Sequence, residues 1–145
     1  MYKTVVVGTD GSPTADKAVE AAAELARSWG SELHIVTAFR SPRSGMGSAT
    51  GVELVDSGAG HALAEEGAVA VGQAAIERFG EGIAAEAHGA QGNADDVLLA
   101  AAAQVGADLI VVGSKGMQGA RRYLGSVPNS VAHGADCAVL VVKTA

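Results

Sequence analysis

Apolar residues recur along the chain in two periods, and the alternation between them lays out the elements. Short β-branched runs that end in glycine clusters read as buried strands, and longer stretches with apolar residues three and four apart read as helices. Val5-Val6-Val7 centres a first strand over Tyr2 to Thr9, ended by Gly8-Thr9-Asp10-Gly11-Ser12-Pro13. Ala18, Ala22, Leu25, Ala26 and Trp29 then fall at helical spacing between Ser12 and Gly30. Ser12 or Thr14 suits the N-cap, Pro13 the first turn and Gly30 the stop. Ser31 to Phe39 follows almost without a linker as a second strand.

Arg40 to Gly60 breaks both periods. Its Ser, Gly and Pro residues predict a surface loop, mobile and unusually long for a compact domain. Helical spacing resumes over His61 to Phe79, weakened by Gly67 and Gly72, each costing about 1 kcal/mol relative to Ala. Ile83 to His88 can form a third strand, with a turn over Gly89 to Gly92. Asn93 is placed to cap the next helix, whose first turn carries Asp95 and Asp96 and which runs to Gly106. Asp108 to Val112 is the clearest buried strand and meets Gly113-Ser114-Lys115-Gly116. After Gly125-Ser126-Val127-Pro128 a helix continues to about His133, and Cys137 to Lys143 is the last strand. Five short, nearly all-apolar strands alternating with helices predict an α/β fold: one doubly wound, five-stranded parallel sheet covered on both faces. In such a sheet ligands bind at the carboxyl ends of the strands, where strand order reverses.

Composition narrows the function. The 145 residues make one domain, 1–145, and 48% hydrophobic content suffices for a core. Sixteen acidic against ten basic residues give a formal charge of −6, and aromatics are 3%. That combination argues against a nucleic-acid partner, which needs a basic footprint or stacking surfaces. No run approaches the ~20 apolar residues of a membrane span, and Val5 to Val7 is too short for a signal peptide, so no membrane partner and a cytoplasmic location are expected. The single cysteine, Cys137, can make neither an internal disulfide nor a cysteine zinc site, and its position before Ala138 to Val142 predicts a buried, inert thiol. His34, His61, His88 and His133 show neither ligand nor triad spacing. No catalytic residue and no metal site is therefore expected.

Two loops remain as candidate chemistry, both after buried strands: Gly8-Thr9-Asp10-Gly11-Ser12, and Gly113-Ser114-Lys115-Gly116 completed by Gly125-Ser126. Glycines there let main-chain amides approach an anion, and a following helix N-terminus adds unpaired donors and positive partial charge. Ordinary turn punctuation explains one such loop as well; two, with Gly-Ser-x-Pro at a helix start, weigh about evenly toward an anion site. The Walker pattern and the dinucleotide pattern after the first strand are both absent.

These motifs, taken together, resemble the universal stress proteins of the UspA type, nucleotide-binding branch. The likeness runs through Lys3 to Ser12, Gly92-Asn93-Ala94, Ala107 to Gly116, Gly125 to Asn129 and Val139 to Lys143, nearly the whole chain outside the loop from Arg40 to Gly60. It implies a Rossmann-like, adenine-nucleotide α-hydrolase-like sheet of order 3-2-1-4-5. It also implies a role for each matching residue. Thr9 and Ala38 would line an adenine pocket. Asp10 would bond the ribose hydroxyls or assist a metal such as Mg2+ on the phosphates. Gly113, Gly116, Gly125, Ser126 and Val127 would hold phosphate. Apart from the resemblance, Lys115, Arg121 and Arg122 are the nearest basic residues, and one of them is expected to neutralise phosphate charge. The family signature has nine residues between its second and third glycines; Met117 to Leu124 supplies eight. One residue fewer turns a helical stretch by about 100°.

Three readings follow. The first is a regulatory protein that binds ATP or cyclic AMP, the single phosphate of the latter needing less anion capacity. The second is a slow ATPase of the same fold; against it, Gly8 to Ser12 lacks the Ser-Gly-Gly-x-Asp-Ser loop that grips pyrophosphate. The third is an interaction dimer without nucleotide, against which Gly113, Gly116 and Gly125-Ser126 speak. An apolar strand at Ala138 to Val142 invites pairing, and the resemblance implies an antiparallel homodimer through it.

Overall fold

A computed structural model describes residues 1–40, 57–114 and 126–144. The strands are β1 (Thr4–Gly8), β2 (Glu32–Phe39), β3 (Ala84–Gln91), β4 (Leu109–Gly113) and β5 (Ala138–Val142). The helices are α1 (Pro13–Trp29), α2 (Ser57–Phe79), α3 (Ala94–Val105) and α4 (Ser126–Gly134). All strand pairs are parallel, in the order β3-β2-β1-β4-β5. The doubly wound five-stranded sheet expected from the sequence is the one observed.

Successive strand residues face opposite layers. Val5, Val7, Leu33, Ile35, Leu109 and Val111 pack toward α1 and α2. Val6, Val36, Ile110 and Val112 pack toward α3 and α4. The face that α1 lays on the sheet is Ala18, Val19, Ala22, Ala23 and Ala26, all buried, so the helix is seated largely by methyl groups. Ser12 is its N-cap, its Oγ accepting from the Ala15 amide at 3.1 Å, and the Gly30 amide closes the other end on Ala26 O. Two arginines tie α1 to α2. Arg27 donates to Phe79 O (2.9 Å) at the end of α2 and to Glu81 O (3.0 Å) just beyond it, and Arg78 grips Asp16 with both terminal nitrogens at 2.6 and 3.2 Å. At the start of the sheet Asp108 accepts from the amides of Lys3 (3.0 Å) and Thr4 (3.1 Å), joining the entries of β1 and β4.

Several local expectations are corrected. The loop predicted over 40–60 ends earlier: Ser57 to Gly60 belong to α2, while residues 41–56 lie outside the described residues. Glycines that read as punctuation cost a helix only about 1 kcal/mol each, and extending an existing helix needs no new nucleus. The turn predicted at Gly89 to Gly92 is instead the last part of β3, where Gly89, Ala90 and Gln91 pair with Thr37, Ala38 and Phe39. Its glycine is there for the helix above. A Cβ on Gly89 would lie 2.8 Å from Ala68 Cβ, and one on Gly72 of α2 would lie 2.8 Å from Ala87 Cβ. Asn93 does sit at the N-cap of α3, but its side chain makes no capping bond; Arg40 Nη2 donates to its Oδ1 at 2.7 Å. Cys137 is half-buried rather than buried; desolvation, then Asp108 and Asp136, raise its thiol pKa and keep it protonated. Among the described residues no helix is long and apolar enough to cross a membrane.

Candidate functional site

β1 and β4 are neighbours in the sheet, and their connections leave to opposite faces, which opens a crevice beyond their carboxyl ends. The crevice holds a cavity of about 190 Å³. Its walls are apolar along Val36, Ala38, Val97, Leu98 and Val112, and polar at Thr9, Asp10, Thr14 and Thr144.

The loop after β1 is folded by its own side chains. The Thr9 amide donates to Val36 O (3.0 Å), and Thr9 Oγ1 accepts from the Gly11 amide (3.0 Å). Asp10 Oδ1 accepts from the Ser12 amide (2.9 Å). Gly11 adopts φ +83°, the left-handed conformation that an L side chain resists. Asp10 is thus an exposed Asx-turn residue on the cavity wall, while the capping of α1 falls to Ser12.

Gly113 ends β4 on the opposite wall, and the carboxyl end of the chain closes over it. A Cβ on Gly113 would lie 2.9 Å from Thr144 Cγ2. The Thr144 amide donates to Ser114 Oγ (3.0 Å), and the Ser114 amide donates to Val142 O (2.8 Å). Both hydroxyl residues are buried. Gly113 therefore accommodates a packed threonine, a role that glycine-loop reasoning does not suggest.

Three helices begin at this cavity. Thr14 and Ala15 from the first turn of α1, Ala94 at the start of α3, and Val127 with Pro128 from the first turn of α4 all line it. Amides in a first helical turn lack intrahelical acceptors, and the helix dipole puts positive partial charge there. An apolar slot met by three such ends suits a ligand with a flat apolar body and an anionic tail.

The structure brings Thr9, Asp10, Ala38, Gly113 and Val127 onto one cavity. Ser126 is the exposed first residue of α4, next to Val127. Lys115, Gly116 and Gly125, with Arg121 and Arg122, lie outside the described residues. Sequence reasoning missed Thr14, Leu98 and Thr144. In the sequence Thr14 reads only as a cap, and Leu98 only as core at helical spacing. A lone threonine after the last strand carries no signal of its own.

A second grouping was hidden by reading spacing along one segment at a time. Parallel register sets His34 beside Glu86 and Val36 beside His88. His34 Nδ1 lies 2.8 Å from His88 Nε2, and His34 Nε2 lies 2.6 Å from Glu32 Oε1.

Comparison with known proteins agrees with the fold. The family model described as "Universal stress protein family" matches residues 1–143. The chain is 32% identical to the universal stress protein YxiE of Bacillus subtilis, over 99% of this chain and 100% of that protein. It is 35% identical to the universal stress protein Rv1636 of Mycobacterium tuberculosis, over 99% and 97% respectively. Among solved structures, a universal stress protein in complex with cAMP superposes with a TM-score of 0.74 at 33% identity, covering 99% of this chain and 98% of that one.

Proposed function

The chain belongs to the universal stress protein family, and from that premise we propose that it is an adenine-nucleotide-binding regulatory protein, taking ATP or cyclic AMP in the crevice between β1 and β4. The observation that carries this reading is the single cavity onto which the first turns of α1, α3 and α4 converge beside Thr9, Asp10, Ala38 and Gly113. The adenine ring occupies the apolar slot, with the backbone at Ala38 reading its edge. Asp10 takes the ribose hydroxyls. The phosphate end meets the amides at Gly113 and Val127 and the hydroxyl of Ser126, helped by Gly116, Gly125 and Lys115. A relative of this fold holding cAMP supports the ligand class.

Where the ligand is ATP, Mg2+ accompanies it. Asp10 is the one carboxylate among the described residues lining the cavity, and one carboxylate plus phosphate oxygens is a usual magnesium environment. The role is binding rather than catalysis, exerted in the cytoplasm by a homodimer joined through β5.

Calorimetric titration with ATP and with cyclic AMP tests the site. One nucleotide binds per chain. Ser126→Ala weakens it several-fold, and Ala38→Phe, which fills the slot, removes binding. Chelation of Mg2+ lowers affinity for ATP and leaves that for cyclic AMP in place. Unchanged affinity in both variants, with native circular dichroism, sinks the site. Gly113→Ala is a poor probe, because its methyl group would collide with Thr144.

A further inference from the structure

On the α3 side of the sheet β2 and β3 present four polar side chains in one patch: Glu32, His34, Glu86 and His88. His34 is 5% exposed, which is unusual for a residue that the fold could have left apolar. Its Nδ1, the Nε2 of His88 and the Oε1 of Glu86 form a triangle with sides of 2.8, 3.1 and 3.7 Å. Around a tetrahedral ion with bonds of about 2.0–2.1 Å, neighbouring donor atoms stand about 3.3 Å apart. The three observed sides bracket that value.

The orientation of His34 is fixed from behind. A carboxylate only accepts, so the 2.6 Å contact with Glu32 Oε1 places the His34 proton on Nε2 and turns the lone pair of Nδ1 toward His88 and Glu86. A carboxylate that holds the far nitrogen of a histidine is the outer-shell arrangement that orients imidazole ligands on metals. A cavity of about 560 Å³ lies against the triangle, with Asp96 and Gln104 of α3 on its far wall. A fourth position is therefore open to water.

We infer that His34 Nδ1, His88 Nε2 and Glu86 Oε1 form a divalent transition-metal site, selective for Zn2+ over Mg2+ and oriented by Glu32. Two imidazoles and one carboxylate suit zinc, whereas Mg2+ and Ca2+ require oxygen donors. With Nδ1 of His34 an acceptor, His88 donates from Nε2 in the metal-free protein; on binding, the ion displaces that proton to solvent, and neutral His88 carries its proton on Nδ1 with Nε2 on the ion. The ion clips the edge strand β3 to β2 in the observed register. None of this depends on the nucleotide reading.

The test uses the full chain, freed of nucleotide and treated with chelator, titrated with zinc chloride in calorimetry. One zinc binds per chain, thermal stability rises with it, and magnesium chloride at the same concentration does neither. His88→Ala, at a partly exposed position, and the near-isosteric Glu86→Gln each weaken zinc at least tenfold. Glu32→Gln weakens it by about tenfold, through the orientation of His34. X-ray absorption finds only nitrogen and oxygen at about 2.0–2.1 Å. Absence of saturable zinc uptake, uptake that His88→Ala and Glu86→Gln leave intact while circular dichroism stays native, or a sulfur ligand from Cys137 overturns the site.

Discussion

At the entry to the sheet a single carboxylate holds two strands. The amides of Lys3 and Thr4 donate to Asp108, and these bonds, the one from Lys3 foremost, set its pKa below the ordinary 3.8 despite partial desolvation. The folded state thus prefers the ionised form more than the unfolded chain does. The stability this adds is complete above the unfolded value and drains away as pH falls through the lower folded one. Asp108→Asn should therefore be less stable than the parent at neutral pH, with the gap closing in strong acid; urea unfolding across that range measures it. At this scale the sequence was legible where a residue acts on its near neighbours. Ser12 caps α1 and Gly11 turns, both within a few positions of their partners. Where the partner is distant in the chain, as for Thr144 on Gly113 or His88 on His34, no local pattern announces it, because sheet register decides who meets whom.

For the elements, periodicity located every strand and helix among the described residues, and the errors sit at ends and at glycines. Gly72 counts against a helix by propensity, yet its missing Cβ is what lets α2 settle on β3 beside Ala87. Gly67, on the same helix, has nothing within 4 Å of where a Cβ would stand. The two should respond with opposite sign. Gly67→Ala stabilises by about 1 kcal/mol, and Gly72→Val destabilises by about 1–3 kcal/mol through overpacking; urea midpoints at constant m-value separate them. The strand β3 was foreshortened for a related reason. Its alanines and glycine have little strand propensity of their own, and its pairing with β2 supplies what propensity does not.

For the whole molecule, the alternation of strands and helices was enough to expect a parallel sheet and a ligand site at its carboxyl edge. The strand order came with the family resemblance, since periodicity says which segments are strands and not which are neighbours. That order leaves two edges, β3 and β5. β5 carries Leu140, 38% exposed, on a short apolar strand. An open edge of this kind is protected by pairing with a second copy. Sedimentation should find a dimer at micromolar concentration, and Leu140→Glu should shift it to monomer without altering the circular dichroism spectrum. A parent chain that already sediments as monomer would falsify the pairing.

The alanine underside of α1 carries a consequence for how this chain tolerates change. Ala18, Ala22, Ala23 and Ala26 already have the smallest side chains that still fill their places, so trimming them to glycine leaves only slight voids. Enlarging any of them lifts a whole helix away from the sheet. The centre of the molecule therefore has little room in either direction: a larger side chain forces the layers apart, and a glycine costs the helix about 1 kcal/mol.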